Sequence, residues 1–389
     1  MKRLVATAAV ALALSLAVAC DDGPEDADVP VAVAPPSRHA ALRDALTDDA
    51  KAFAFEGGDW LEDLGDAPFF GVAWLAHRGE EPERLAAAVA RARTLLSGEL
   101  LDGDLQDKVM AALGLIEHVA VSGDRTELPV LDDFVDRLDS LTRTLGDYLE
   151  AGADRSWAIR TYGPTAVTAL VALVEAQYAL LVGGDRAAER LERAKAIDAK
   201  IAARAFGDLG TVRGYAIAPG RLELELYPNV AMAMLKARLF RLTKDEAYRL
   251  EARALYAAIQ PLKVSDAPAR YRSPYAIELV HAKTPDVSTL SSQNYLALSL
   301  LLTFEITGDR RFVDEADRVL DAIAAMRGPW CESQVIEGST PDRCTTGLLH
   351  HVVDGRLAQP GDGTLFCSGC NLQTLYVLGY RRALANEPF

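Results

Sequence analysis

Six times along the chain, a polar or Gly/Pro start leads into an apolar run of helix length, and five of the six runs end in a short turn carrying an acid. The runs are DAPFFGVAWLAHRGE from Asp66, LQDKVMAALGLIEHVAVSGD from Leu105, YGPTAVTALVALVEAQYALLVGGD from Tyr162, YPNVAMAMLKARLFRLTKD from Tyr227, SQNYLALSLLLTFEITGD from Ser292 and CNLQTLYVLGYRRAL from Cys370. Between them lie charged segments such as Arg186 to Phe206 and Arg310 to Met326. There, apolar residues recur at i, i+3, i+4 and i+7. A helix apolar on all sides must be enclosed, and one with a charged face can stand outside it. The Gly-Asp pairs supply the joints, since Gly accepts the left-handed conformation that ends one helix and Asp caps the next. With Arg38 to Ala54 as the first outer helix, the count is six inner and six outer. This predicts an all-α fold, an (α/α)6 toroid of about twelve alternating helices, with an open solenoid of helix pairs as the alternative. β-content is expected to be minor, because period-2 runs such as RLELELY (Arg221 to Tyr227) are short.

The chain opens MKRLVATAAVALALSLAVAC, in which Lys2 and Arg3 precede an apolar stretch from Val5 to Val18 that is short for a membrane span. Residues 1–19 therefore read as a signal peptide. Its end, Ala17-Val18-Ala19-Cys20, resembles a bacterial lipoprotein signal, which implies a lipid on Cys20. An ordinary secretory signal cut near the same place is the alternative. Residues 20–37 are acidic and Pro-rich and read as a tether reaching up to roughly 50 Å. Residues 38–389 then form a single toroid domain. The formal net charge of −15 argues against nucleic acid and against flat binding to anionic lipid. The expected place is the bacterial cell envelope, facing the periplasm or the outside, as a monomer.

LYPNVAMAMLKARLFRLTKDEAYRLEARALYAAI and SSQNYLALSLLLTFEITGDRRFVDEADRVLDAIAAM resemble the six-hairpin glycosidase-like superfamily and the related toroids of the N-acylglucosamine 2-epimerases. The resemblance covers most of Arg38 to Ala385 as architecture and implies a cleft at the end where the inner helices begin. It transfers no catalytic residue. Long connections gather at that end: Gly152 to Thr161, Gly207 to Leu226, Pro261 to Ser291 and Gly328 to Gly369. They hold aromatic and basic side chains suited to sugar rings that bear acidic groups, among them Arg213 and Arg270. The expected ligand-binding set is Trp60, Trp157, Arg160, Tyr162, Tyr215, Tyr227, Asn229, Tyr271, Gln293, Asn294, Asn371 and Gln373. Asn229, Asn294 and Asn371 sit at equivalent starts of inner helices, where capping is the other role open to them.

Glycoside hydrolysis needs two facing carboxyl groups. The candidates are Asp59, Glu225 and Asp286, with Asp104 and Glu223 behind them. Asp59 is preferred because Gly57-Gly58 allows close backbone approach and Trp60 supplies a stacking face. His77 and His118 lie late in inner helices, at the opposite end. The expectation is an envelope toroid that binds a complex or acidic glycan and, with two facing carboxylates, cleaves it. The alternative is a non-catalytic lipoprotein that binds an envelope protein.

Once Cys20 is lipidated, Cys331, Cys344, Cys367 and Cys370 remain, clustered around the last long loop. In an exported protein this reads as disulfides, with Cys331–Cys344 and Cys367–Cys370 the expected pairs. Zinc held by these cysteines with His350 or His351 is the rival reading, and a redox C-x-x-C a third. No cofactor is expected outside the zinc alternative.

Overall fold

The computed structural model describes residues 32–55, 67–79, 81–100, 105–149, 157–273, 286–331, 344–349, 351–353, 355–357 and 368–389. Only the backbone is described at 51–55, 67–68, 157–162, 330–331, 344–345, 353 and 368. Among the described residues, twelve α-helices alternate around a ring. The inner six are α2 (Ala67–Arg78), α4 (Leu105–Ser122), α6 (Trp157–Val182), α8 (Leu226–Thr243), α10 (Leu290–Thr307) and α12 (Ser368–Ala383). The outer six are α1 (Ala40–Phe55), α3 (Pro82–Ser97), α5 (Leu128–Thr144), α7 (Gly184–Ala205), α9 (Glu246–Ala258) and α11 (Arg310–Ala324). Each inner helix packs on the next, and α12 packs on both α10 and α2, so the ring closes rather than running on as a solenoid.

Burial follows the sequence pattern. Every residue of α10 from Leu290 to Ile306 is buried, whereas α11 buries one face and leaves its arginines at the surface. Each large aliphatic or aromatic side chain enclosed this way contributes roughly 1.5–3 kcal/mol. The turns behave as expected at Gly308-Asp309, where Gly308 is left-handed and donates to Phe304 O while Asp309 caps the Arg311 N–H. Gly123-Asp124 repeats the device, and at Lys244-Asp245 a lysine takes the left-handed position. The Gly183-Gly184-Asp185 turn departs from it. Both glycines are left-handed and Asp185 falls inside the first turn of α7.

Among the described residues, nine short strands, all in outer-to-inner connections, decorate the end where the inner helices start. β1 (Phe206–Leu209) and β2 (Val212–Tyr215) form a hairpin, as do β3 (Lys263–Asp266) and β4 (Ala269–Tyr271). β5 (Val287–Thr289), β8 (His351–Val353) and β9 (Arg356–Leu357) form a three-stranded sheet, and β6 (Arg327–Cys331) pairs with β7 (Cys344–Leu348). The period-2 run at Arg221 to Tyr227 contributes only the isolated bridge of Leu224 to Ala216. Its length fits a connection better than a strand.

The expected signal peptide and Cys20 lie outside the described residues. The last part of the expected tether is docked, not loose. Ala34 N–H donates to Leu384 O at 2.6 Å, Arg381 Nη1 donates to Pro35 O, and Ser37 N–H donates to Glu387 Oε1. Arg381, fully buried, forks onto Asp317 of α11 at 2.8 and 2.9 Å.

The helical run of α6 is broken at Gly163, whose φ of 81° and ψ of 156° no helix accepts, and the helix restarts at Pro164. The connection ahead of α8 crosses there, with Thr165 N–H donating to Ile217 O. A Cβ on Gly163 would lie 2.2 Å from Ile217 Cγ1 and 2.6 Å from its carbonyl oxygen. Gly163→Ala is therefore expected to lower the unfolding free energy by about 2–4 kcal/mol, read as a fall in the urea midpoint at unchanged m-value.

Candidate functional site at the mouth of the ring

A cavity of about 20 Å³ on the ring axis, room for a single water, shows which face of each inner helix looks inward. It is lined by Phe69 of α2, Leu113 and Glu117 of α4, Leu173 and Gln177 of α6, Met234 and Arg238 of α8, Leu298 and Leu302 of α10 and Tyr376 of α12. Residues three and seven positions earlier share those faces. Toward the helix N-termini, the mouth, they are Met110 then Gln106, Leu170 then Ala166, Ala231 then Tyr227, Tyr295 then Ser291, and Gln373 then Gly369. The axis is therefore layered, with polar groups at the mouth, an apolar and aromatic middle, and charged groups at the far, turn end.

Contacts across the ring confirm the phase. α4 and α10 stand opposite each other, yet the Tyr295 hydroxyl reaches Met110 Sδ at 3.5 Å. Tyr227 packs edge-on against Tyr295 with centroids 5.0 Å apart, and Phe70 packs against both Tyr295 and Tyr376. These rings close the bore. At the turn end, His77 Nε2 lies 2.7 Å from Glu117, and the His77 ring stacks on Phe389 at 4.0 Å. Burial opposes ionisation of Glu117, but the His77 hydrogen bond and the field of Arg238 hold its carboxyl below the usual range. His118 is held below the usual histidine range by burial. Both histidines sit at the turn end, as expected from the sequence.

Three amides at the mouth have a shared task that the sequence did not reveal. The fourth residue of α8, Asn229, accepts from Tyr215 N–H (2.9 Å) and donates to Tyr215 O (3.0 Å) and Glu225 O (2.7 Å). The fourth residue of α10 is Gln293, which accepts from Tyr271 N–H (3.1 Å) and donates to Tyr271 O (2.8 Å). The fourth residue of α12, Asn371, does the same to Leu348 at 2.8 and 3.0 Å. Each amide thus satisfies both backbone groups at the end of a strand. A Cβ on Gly214 would lie 2.8 Å from Asn229 Oδ1, so the first clamp needs that glycine. The three amides, expected to reach ligand or to cap, instead pin β2, β4 and β7 to the helices. The equivalent position in α10 is Gln293, not Asn294. Asn294 joins α10 to α12 by donating to Cys370 O and accepting from Thr374 Oγ1, both at 2.9 Å.

Other expected ligand residues are also engaged internally. The Tyr271 hydroxyl donates to Glu315 Oε1 at 2.5 Å, away from the axis. Tyr215 is buried against Phe206. Arg213 lies over the Phe206 ring at 4.9 Å and 3.4 Å from Asp208. Tyr227, by contrast, falls on an axis-facing position at the mouth, and Gln373 on one a layer deeper, level with Tyr295. Trp157, Arg160 and Tyr162 lie in the part of α6 before the Gly163 break, where only the backbone is described. Asp59, Trp60, Asp104, Cys367 and His350 lie outside the described residues.

The acids separate clearly. Asp286 places both carboxylate oxygens in the Arg270 guanidinium fork, at 2.6 and 3.0 Å. Instead of standing ready as a catalytic base, it ties the start of β5 to β4. Glu223 is exposed. Glu225 is 5 % exposed and immediately precedes α8. Burial pushes its carboxyl up to about 8, with Arg272 opposing and Glu223 reinforcing the shift. It is thus a neutral acid at the mouth of the ring, two residues from Tyr227. Among the described residues, no three His, Cys, Asp or Glu side chains gather as a metal site.

No protein-family model and no curated protein sequence matches the chain. Among solved structures, the chain is similar to the cellobiose 2-epimerase of Spirochaeta thermophila DSM 6192, at 13% identity and TM-score 0.54 over 90% of this chain and 99% of that one. It is also similar to a glycoside hydrolase family 76 α-mannanase of Bacteroides thetaiotaomicron, at 12% identity and TM-score 0.54 over 89% and 95%. A third is an unsaturated glucuronyl hydrolase specific for heparin, at 13% identity and TM-score 0.51 over 97% and 96%. At these identities the likeness is one of fold. The chain has the (α/α)6 toroid architecture that these structures share.

Glu225 predicts a pH signature. Its folded-state carboxyl binds a proton more tightly than the ordinary value of 4.5, so the native state holds more protons than the unfolded chain between about pH 4.5 and 8. Stability must fall as pH rises through that window. Glu225→Gln is expected to remove this component, so the variant gains on the parent protein in melting temperature at pH 9 relative to pH 5.

Proposed function

We propose that the chain binds and hydrolyses a glycan at the mouth of the toroid, with Glu225 as general acid. The observation that supports this most is the buried, neutral Glu225 carboxyl at the start of an inner helix. A carboxyl held protonated near neutral pH is the group that donates to a departing glycosidic oxygen. The solved structures of similar fold include a cellobiose 2-epimerase, an α-mannanase and a glucuronyl hydrolase, which favours a carbohydrate ligand. In the proposed step, Glu225 gives its proton to the leaving oxygen as the glycosidic bond breaks. Water adds to the anomeric carbon, and its proton passes to a second carboxylate, for which Asp59 is the candidate.

The test is a panel of oligosaccharides assayed for new reducing ends. Glu225→Gln is expected to lower turnover by about 10²–10⁴-fold while leaving binding within a fewfold. Hydrolysis at the parental rate by this variant rules Glu225 out as the acid.

The same reading places the protein on the bacterial envelope through a lipid on Cys20, with the last loop stapled by Cys331–Cys344 and Cys367–Cys370. In favour of the first pair, Cys331 and Cys344 are direct partners in the antiparallel β6–β7 ladder. Such partners stand about 4.5–5.5 Å apart at Cα, within disulfide reach. Non-reduced peptide mapping of membrane-extracted protein is expected to show a lipid-modified Cys20 peptide and these two cross-links. An unmodified N-terminal peptide, or four free thiols, contradicts the corresponding part.

A further inference from the structure

Two buried polar side chains at the mouth have no bonding partner among the described residues: Ser291 Oγ and Gln373 Nε2. Ser291 is 3 % exposed and Gln373 1 %. They stand on neighbouring inner helices, α10 and α12, and both are in phase with residues that line the axis. The amides Asn229, Gln293 and Asn371 nearby are fully committed to strand backbone. Burying a hydrogen-bonding group without a partner destabilises a fold, and such groups persist where another molecule completes them. Gln106 of α4 and Tyr227 of α8 share the axial level of Ser291, and Gln373 lies one layer deeper, level with Tyr295 and Met110. In that deeper layer the Tyr295–Met110 contact seals the bore beside Gln373.

We infer that Ser291 and Gln373 form the floor of the ligand site, and that this floor receives uncharged hydroxyl groups of a glycan, as in a neutral hexose. The inference rests on the proposed glycan function and narrows it. Among the described residues, no charged side chain occupies the axial positions from the floor down to the aromatic seal. Arg213 and Arg270, suited by type to an acidic sugar, are already paired with Asp208 and Asp286. A carboxylate or sulfate brought to this floor would be desolvated without a counter-charge, whereas an amide and a hydroxyl both donate to and accept from sugar hydroxyls.

The experiment measures melting temperature and oligosaccharide affinity for the full chain and for Ser291→Ala and Gln373→Met. The probes are neutral hexose oligosaccharides and hexuronate oligosaccharides. Neutral probes are expected to bind, and each substitution to weaken them about five- to tenfold, the worth of one hydrogen bond. The same substitutions are expected to leave the melting temperature unchanged or raise it, because they remove a buried group with no partner in the fold. A melting temperature lowered by several degrees in both variants assigns the groups a structural role and overturns the inference. Unchanged affinity for neutral probes in both variants also overturns it while leaving the glycan function standing. So does binding of hexuronate probes alone. Binding of no oligosaccharide at all removes the glycan function and this inference with it.

Discussion

Six helices set around an axis leave a bore, and everything else in this ring depends on how that bore is filled. The inward faces do it with a repeated spacing of i, i+4, i+7 and i+11, such as Ser291, Tyr295, Leu298 and Leu302 on α10. Large side chains meet in the middle layers, where Tyr295 crosses the full width of the ring to Met110. The outer helices add a second shell but do not close the centre. The ends can then differ chemically without risk to the core. The turn end carries ion pairs, including Arg241 with Glu305 at 2.5 Å, and Tyr380 also bonds Glu305, at 2.6 Å. The mouth carries neutral hydrogen-bonding groups and the protonated Glu225.

The long connections at the mouth face the opposite problem, since they cannot bury enough apolar surface to order themselves. The protein orders three of them with one device, an amide at the fourth helical position gripping both backbone groups of a strand's last residue. This holds each loop to the rigid ring, in addition to the β5–β8 pairing that joins two of the loops to each other. Loops anchored this way can differ in sequence while the ring stays constant, which fits a fold shared by an epimerase and by hydrolases at 12–13% identity.

Much of this was legible in the sequence, and for local reasons. The helices, their alternation and most turns follow from hydrophobic period and from Gly-Asp capping, which act over a few residues. The strands were not legible: β1–β2, β3–β4, β6–β7 and β8–β9 are short pairings within single connections that lack a clear period-2 pattern, and β5–β8 joins two connections that meet only once the ring has closed. The amide register slipped by one in α10, since SSQN offers Gln293 and Asn294 side by side and only the strand decides which one grips. Asp286 and Glu225 looked alike as loop acids. Their difference is environmental: one meets an arginine fork and the other is buried at a helix start. Ser291 passed unnoticed because a serine at a helix start reads first as a capping residue. Its signal was the phase it shares with Tyr295 and Leu298.

The docked segment at residues 32–37 also fixes where the chain enters the body. Ala34 and Pro35 are held by Leu384 and Arg381, where α12 finishes, so the chain enters the body at the turn end. Any pull exerted from the N-terminal side is delivered there, through a backbone hydrogen bond and the Arg381–Asp317 pair. A surface to which that N-terminal stretch is fixed would lie beneath the ion-paired base, and the opening with Glu225 would look outward, away from it. The point at which the chain enters is thus a property of the body itself, set by contacts within it.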